Sequence, residues 1–502
     1  MNEGTHGFVP EPGLIFERSE PGRQGIEFPE VDVPETELPE AHRRHEAPNL
    51  PEVSELEMVR HFTRLSQKNF AIDIGFYPLG SCTMKYNPKI NDAIANLPGF
   101  QDLHPHQDPS TVQGALQLMW ELQEWLGEMA GLPGVTLQPS AGAHGELTGA
   151  LIIRAYHESQ GRPRKTILVP DSAHGTNPAT AAMVGYNTKE IPTGDDGNVD
   201  LDALREAMSE DVAGLMITNP STLGVFEEHI LEVAEIIHGE GGLIYMDGAN
   251  MNAMVGIARP GDLGMDILHY NLHKTFTVPH GGGGPGAGAT AVREELARFL
   301  PVPVVAKAED GSYSFDYDRP HSIGRVRAFY GNFNNMVRGF VYMRVLGQDG
   351  LVDMSKTAVL NANYLKEQLR GVYHLPFDRT CKHEVIFTSK WLKEKTSHLE
   401  HPVRTLDVAK RLLDYGIHAP TIYFPLTVDE CMLIEPTETE SKRTLDRFVE
   451  VMECIAREAE EEPELVTSAP HNAPLTRLDE ARAARQPDLR WHPNGEREGT
   501  RE

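Results

Sequence analysis

The chain has few cysteines and no long hydrophobic run. Its four cysteines, Cys82, Cys381, Cys431 and Cys454, form no CxxC pair, which argues against a disulfide scaffold or a cysteine zinc site. No apolar run reaches membrane-spanning length, and the first residues lack the basic and apolar segments of a signal peptide. Basic residues are also scarce, since 46 Lys and Arg against 74 Asp and Glu leave a formal net charge of −28. We therefore expect a cytoplasmic protein that binds neither membranes nor nucleic acid.

Motifs of several enzyme classes are also missing. The sequence has no G-x-S-x-G nucleophile elbow, no G-x-x-x-x-G-K-[ST] phosphate loop, no H-E-x-x-H zinc helix and no well-placed G-x-G-x-x-G dinucleotide turn. With 502 residues, 40% of them hydrophobic and 24% charged, the chain has an ordinary globular composition and is long enough for two or three domains.

Short apolar runs alternate with helical patterns through the middle of the chain. This order predicts an α/β protein with a mostly parallel sheet, whose site lies at the carboxyl ends of the strands. His174, Asn219, Asp247 and Lys274 each fall just beyond the end of such a run. Upstream, the small residues 140–145 (SAGAHG) come between a β-rich run and a helix, where backbone N–H groups can bind an anion.

Asp247 and Lys274 together indicate a pyridoxal phosphate site. Asp247 ends the apolar run of GLIYMDGAN, and Lys274 follows 274 − 247 = 27 residues later, before a glycine-rich turn. A lysine can hold this cofactor as a Schiff base, while an acid keeps its pyridine nitrogen protonated. His174 is a candidate for stacking on the ring. Each residue alone is more often a turn former or a surface group, so the hypothesis depends on their joint placement.

Composition also predicts domain boundaries. Residues 1–54, rich in Pro and Glu, are expected to form an extended arm, with a disordered tail as the alternative. We expect a large cofactor-binding domain over 55–345, a smaller C-terminal α+β domain over 346–465 and a flexible charged tail over 466–502. Within the large domain, the pattern AVREELARFL predicts a helix over 291–300.

Many long motifs resemble one known family. YPLGSCTMKYNP, QPSAGAHGE, SAHGTNPA, MDGANMNA, NLHKTFTVPHGGGGPG, SIGRVRAFYGN and MLIEPTETES resemble the glycine cleavage system P-protein, the decarboxylating glycine dehydrogenase. The resemblance covers about residues 13 to 460 and includes only the lysine-bearing half of the single-chain form of the family. The chain therefore resembles subunit 2 of the two-subunit form.

The resemblance implies a type I pyridoxal-phosphate-dependent fold, like that of aspartate aminotransferase, and roles for individual residues. It implies that Lys274 carries the Schiff base, that Asp247 contacts the pyridine nitrogen and that His174 stacks on the ring. Further expected cofactor contacts are the backbone N–H groups of Gly142 and Ala143 with the side chains of His273, Thr176 and Asn219. His144 departs from the family, in which we expect glutamine at this position.

The resemblance also implies a reaction and partners. It implies decarboxylation of glycine and transfer of the aminomethyl group to the lipoyl arm of the H-protein, in a heterotetramer of two such chains with two copies of the paralogous subunit 1. Loops 77–88 and 322–332 are candidate walls of the lipoyl channel, and Arg325, Arg327 or His280 are candidates to face a carboxylate. The alternatives are a non-catalytic structural partner subunit, or another type I enzyme such as a cysteine desulfurase or an aminotransferase.

Overall fold

The computed structural model describes residues 13–46, 48–281, 286–489 and 491. Contacts divide the chain into two compact units, Met1–Ala71 with Pro474–Glu502 and Ile72–Ala473. The start of the predicted arm, the end of the predicted tail and most of the glycine run after His280 lie outside the described residues. The four predicted domain ranges stay predictions.

The helices of the described residues are α1 (Glu55–Ser66), α2 (Lys89–Ala95), α3 (Pro98–Gln101), α4 (Gln113–Ala130), α5 (Gly142–Ser159), α6 (Thr176–Val184), α7 (Leu201–Ala207), α8 (Ile230–Gly239), α9 (Leu272–Thr275), α10 (Phe333–Leu369), α11 (Lys390–Lys395), α12 (Thr405–Asp414), α13 (Lys442–Glu461), α14 (Pro463–Thr467) and α15 (Glu480–Arg485). None of these helices is long and apolar enough to cross a membrane. Helix α10 changes direction at Gly347, where φ is 62° and ψ is −174°.

The strands of the same residues are β1 (Gly134–Thr136), β2 (Thr166–Pro170), β3 (Asn187–Ile191), β4 (Val212–Thr218), β5 (Leu243–Gly248), β6 (Ile267–Asn271), β7 (Gly288–Val292), β8 (Val304–Lys307), β9 (Tyr313–Asp316), β10 (Val385–Thr388), β11 (Thr421–Ile422) and β12 (Cys431–Ile434).

The unit formed by both ends of the chain contains α1 and α15. Ser54 and Glu57 cap α1 reciprocally: Ser54 N–H donates to Glu57 Oε2 at 3.0 Å, and Glu57 N–H donates to Ser54 Oγ at 3.3 Å. The Phe16 ring stacks on the Trp491 ring with 4.9 Å between centroids, so the amino-terminal segment contacts the carboxyl-terminal one.

Seven strands form the main sheet of the other unit in the order β1-β7-β6-β5-β4-β2-β3. Strands β3, β2, β4, β5 and β6 pair in parallel, whereas β7 is antiparallel to both of its neighbours. Every residue of β4, β5 and β6 is buried, as expected for strands covered on both faces. The prediction of a mostly parallel sheet is therefore confirmed.

Helix α5 packs unusually close to this sheet because its inner face carries glycine. A Cβ at Gly149 would lie 2.3 Å from Cε2 of Tyr245, and one at Gly145 would lie 2.7 Å from Cβ of His269. Larger residues would push the helix away from β5 and β6. The close packing brings the amino end of α5 to the edge at which the parallel strands end.

A second hydrophobic core lies toward the carboxyl end of the same unit. Strands β10, β12 and β11 form an antiparallel sheet in that order, and their apolar side chains pack with residues of α10, α12, α13 and α14. This region has the α+β composition expected from the sequence.

The prediction of a helix over residues 291–300 is wrong. Ala291 and Val292 belong to β7, and only Glu294–Phe299 is helical, as a 3₁₀ helix. The small apolar residues of β7 are buried between β6 and β1, and this tertiary pairing overrides their helical pattern. Strand β3 was also missed, because this edge strand exposes four of its five side chains and shows no apolar period.

Candidate active site

The carboxyl ends of the parallel strands and the amino end of α5 line a cavity of about 250 Å³. Seven of the eight residues expected at the site line it: Gly142, Ala143, His174, Thr176, Asp247, His273 and Lys274. The eighth, Asn219, is buried and its Oδ1 accepts a hydrogen bond from the N–H of Glu227 at 3.1 Å. Thr218 and Thr222 line the cavity near this strand end instead.

Lys274 lies in α9, the single turn of helix that directly follows β6. Its Nζ donates to the carbonyl oxygen of Ser81 at 2.9 Å, so loop 77–88 contacts the lysine. The same loop is fixed to the next residue, because Lys85 Nζ donates to the carbonyl of Thr275 at 2.7 Å and forms a buried ion pair with Glu438 at 2.6 Å. The Lys274 amine therefore lies in the cavity, next to a loop that the contacts of Lys85 fix in position.

Asp247 is a buried carboxylate at the end of β5, only 4% exposed. Its Oδ1 accepts from the N–H of Ala249 at 2.9 Å, and its Oδ2 accepts from Asn177 Nδ2 at 3.2 Å. Burial acts to raise the pKa of Asp247, but His269 and Lys274 with these hydrogen bonds hold it below its usual value. The ionised Asp247 carboxylate can form an ion pair with a positively charged N–H group of a molecule bound in the cavity.

His269 was missed by the sequence analysis, although it supports Asp247 directly. Its Nε2 lies 3.2 Å from Asp247 Oδ1, and its Nδ1 contacts the hydroxyl of Tyr245. Its only sequence signal is a histidine inside the apolar run of β6, a position more often occupied by a core residue.

A second buried carboxyl group, that of Glu146, was also missed. Glu146 lies in the first turns of α5 and accepts from Thr176 Oγ1 at 2.7 Å and from Asn177 Nδ2 at 2.9 Å. Asn177 also donates to Asp247, so one amide links the two carboxyl groups. Burial, and secondly repulsion from Asp247, raise the pKa of Glu146 to about 7. The site thus contains one carboxyl group whose pKa is lowered and one whose pKa is raised to about 7.

We expect Glu146→Gln to flatten the pH dependence of stability. The folded pKa of about 7 exceeds the ordinary 4.5, so the folded state binds more protons and the free energy of unfolding falls as pH rises through that window. Chemical unfolding of wild type and variant at a series of pH values measures the two slopes. Glu158→Gln, at a half-exposed ion pair with Arg154, should keep the wild-type slope. Equal slopes for Glu146→Gln and wild type would contradict the assignment.

The amino end of α5 is suited to bind a phosphate group. No side chain caps this helix of 18 residues, so the first backbone N–H groups are available to an anion. A Cβ at Gly142 would lie 2.4 Å from Oδ1 of Asn271, which shows how closely the backbone is packed here. His273 borders the cavity, and burial lowers its pKa to about 3, so the neutral imidazole adds no charge.

His174 follows β2 and borders the cavity with Thr176. Its Nδ1 accepts from the N–H of Thr176 at 3.2 Å and lies 2.8 Å from the hydroxyl of the same residue. Burial, together with Lys274, outweighs the effect of Asp247 and lowers the pKa of His174, which keeps the ring neutral. A neutral ring fixed in this way fits the stacking role expected for it.

The remaining candidates lie elsewhere. His144 Nδ1 accepts from the N–H of Ser140 at 3.2 Å, and its Nε2 lies 2.9 Å from the carbonyl of Val326, so this side chain ties α5 to loop 322–332. Arg327 lines a separate cavity with His104 and Phe329.

Arg325 and His280, the other two residues considered for binding a carboxylate, contact other side chains. Arg325 packs on the ring of Tyr317, with 5.6 Å between the guanidinium carbon and the ring centroid. His280 Nε2 lies 3.6 Å from Sγ of Cys82, in loop 77–88.

Two family models match the chain, "Glycine cleavage system P-protein" over residues 27–398 and "Glycine dehydrogenase, C-terminal domain" over residues 354–476. The chain belongs to the glycine cleavage system P-protein family. Relatives named "Probable glycine dehydrogenase (decarboxylating) subunit 2" include one from Caldanaerobacter subterraneus subsp. tengcongensis, 57% identical, and one from Halalkalibacterium halodurans, 58% identical. Each alignment covers 95% of this chain and 98% of the relative.

Solved structures show the same fold. A glycine decarboxylase (P-protein) of the glycine cleavage system, in inhibitor-bound form, matches with a TM-score of 0.67 and 21% identity over 85% of this chain and 91% of that one. The cysteine desulfurase of Thermococcus onnurineus NA1 matches with a TM-score of 0.58 and 17% identity, over 77% and 95% of the two chains. This P-protein family member thus has the type I fold, and pyridoxal phosphate is its cofactor, both as expected.

Proposed function

We propose that this chain is the lysine-bearing subunit of a glycine dehydrogenase (decarboxylating). The observation that carries the proposal is the single cavity that joins Lys274, the ionised Asp247 and the uncapped amino end of α5. These are an amine, a carboxylate and an anion site, the three groups that pyridoxal phosphate requires of a protein. High identity to relatives of that name selects glycine among the substrates that this cofactor serves.

Bound pyridoxal phosphate supplies an electron sink for the pair left when the carboxylate of glycine departs. The side chains and backbone N–H groups of the protein position the charges and the protons around the cofactor. The Asp247 carboxylate would hold a proton on the pyridine nitrogen, and the N–H groups of Gly142 and Ala143 would bind the phosphate. Lys274 Nζ provides the amine, and its hydrogen bond to Ser81 orients it. His174 would stack on the cofactor ring.

The partner assignments extend this proposal. We assign the paralogous subunit 1 and the lipoyl-bearing H-protein as partners, in a heterotetramer of the two subunits in the cytoplasm. The position of loop 77–88 supports a lipoyl channel, because this loop contacts both Lys274 and Thr275. Loop 322–332 reaches the glycine segment, since Asn332 Nδ2 donates to the carbonyl of Gly286 at 2.6 Å.

The cysteine desulfurase alternative is less well supported. Such an enzyme requires a reactive thiolate, and the candidate here is Cys82, in the loop over Lys274. Burial raises the pKa of the Cys82 thiol, although Lys274 acts against the rise, so the thiol stays protonated. A purely structural subunit is disfavoured by the presence of both Lys274 and Asp247.

The test is glycine-dependent exchange of labelled bicarbonate into the glycine carboxyl group. We expect exchange when the chain is combined with subunit 1, lipoylated H-protein and pyridoxal phosphate, and at least about a tenfold lower rate without the H-protein. Cysteine and standard aminotransferase substrates serve as controls. Sulfide release from cysteine without glycine exchange would contradict the proposal.

A further inference from the structure

A second cluster of ionisable side chains lies behind loop 77–88, outside the cavity. His383 and Glu384 directly precede β10 and are 0% exposed, and Glu435 directly follows β12 and is 1% exposed. Because Val385 pairs with Ile434 in the antiparallel register, Glu384 and Glu435 lie opposite each other. None of the three lines the cavity that contains Lys274.

The potential ligand atoms of this cluster converge. One ring nitrogen of His383 and one carboxylate oxygen from each glutamate all lie within 4.8 Å of one another. His383 Nε2 is 3.5 Å from Glu384 Oε1. Two ligands about 2.0–2.1 Å from a tetrahedral cation are about 3.3–3.4 Å apart, close to this spacing.

The carboxylates of Glu384 and Glu435 each accept hydrogen bonds at one oxygen and none at the other. Glu384 Oε2 accepts from the N–H of Ser81 at 2.6 Å, and Glu435 Oε1 accepts from Thr83 Oγ1 at 2.6 Å and Asn252 Nδ2 at 3.1 Å. Among the described residues, Glu384 Oε1, Glu435 Oε2 and both ring nitrogens of His383 have no hydrogen-bond partner. Three buried side chains therefore present unpartnered atoms to a common point.

Charge also favours a cation here. Within the part of the chain that the structure describes, no lysine or arginine forms an ion pair with Glu384 or Glu435. Burying a carboxylate without a direct ion-pair partner costs free energy, and a divalent cation would neutralise both carboxylates.

We propose that His383, Glu384 and Glu435 bind one divalent transition-metal cation, Zn²⁺ or Mn²⁺. An imidazole ligand favours these metals over Mg²⁺ and Ca²⁺, which prefer oxygen ligands alone. The cation holds Glu384 and Glu435 in place, and through Ser81 and Thr83 these glutamates hold the loop that contacts Lys274. This is a structural site, separate from the cofactor.

The test is the metal content of the full-length protein. Protein expressed with added zinc and manganese and dialysed against metal-free buffer should carry about one equivalent of one of the two. His383→Gln and Glu435→Gln should each lower this content at least about tenfold. His238→Gln is the matched control, because His238 Nε2 contacts Asp266 Oδ2 at 2.9 Å outside the cluster, and it should keep the metal.

Thermal unfolding provides a second measurement that does not need the variants to fold well. After removal of metal by a chelator, Zn²⁺ or Mn²⁺ should raise the unfolding temperature of wild type. Glu435→Gln should not respond. Wild type with less than about a tenth of an equivalent of metal and no thermal response, or a glutamine variant that keeps full metal content, overturns the proposal.

Discussion

Lys274→Ala should abolish all glycine exchange and the pyridoxal phosphate absorbance that wild type keeps after gel filtration. The lysine amine is the only group in the described cavity lining that can join covalently to the cofactor aldehyde. Without it, the proposed phosphate contacts at α5 and the charge of Asp247 would still allow reversible binding. The variant should therefore release the cofactor on gel filtration, whereas wild type retains it. Absorbance spectra before and after filtration measure this difference.

The control for Lys274→Ala is a lysine of the same unit that does not line the cavity. Lys89 is exposed and forms an ion pair with Asp73 at 2.5 Å, so Lys89→Ala should leave the spectrum unchanged. The circular dichroism spectrum of each variant reports whether it folds. A folded Lys274→Ala protein with the wild-type absorbance band would rule out Lys274 as the cofactor lysine.

Much of the site could be predicted from the sequence because parallel strands end at one edge of a sheet. His174, Asp247 and Lys274 each lie at or just beyond the end of a strand of a β-α series, so their order along the chain already placed them together. The proposed anion site could be predicted for a related reason, since the glycine-rich start of α5 is a local feature of the sequence. Both inferences need only the pattern of neighbouring residues.

The parts that sequence analysis missed depend on contacts between distant segments. Glu146 is significant because Asn177, from another helix, links it to Asp247. His269 is significant because the register of β5 and β6 places it opposite Asp247. Asn219 fails to line the cavity although it also follows a strand, because its side chain turns to Glu227. Position along the chain identifies the edge of the sheet but leaves the direction of each side chain open.

Asp247→Ala should lower the rate of glycine-carboxyl exchange well over tenfold. In the proposed site the carboxylate holds the proton on the pyridine nitrogen. Each tenfold loss in rate corresponds to about 1.4 kcal/mol of lost transition-state stabilisation. Removing it also takes away one of the two carboxyl acceptors of Asn177 Nδ2 and the carboxylate beside His269. The rate is measured at saturating pyridoxal phosphate and divided by the amount bound, which separates the chemical step from loss of the cofactor.

Asp247→Asn separates charge from shape at the same position. The amide matches the carboxylate in size but carries no negative charge, so it should lose nearly as much rate as alanine if charge is what matters. Asp262→Asn, at an exposed ion pair with Arg259, is the control and should exchange at the wild-type rate. If Asp247→Asn kept full exchange while Asp247→Ala lost it, the residue would serve packing, and the pyridine nitrogen would need another partner. Glu146 would then be the next carboxyl group to test, because Asn177 bonds to both.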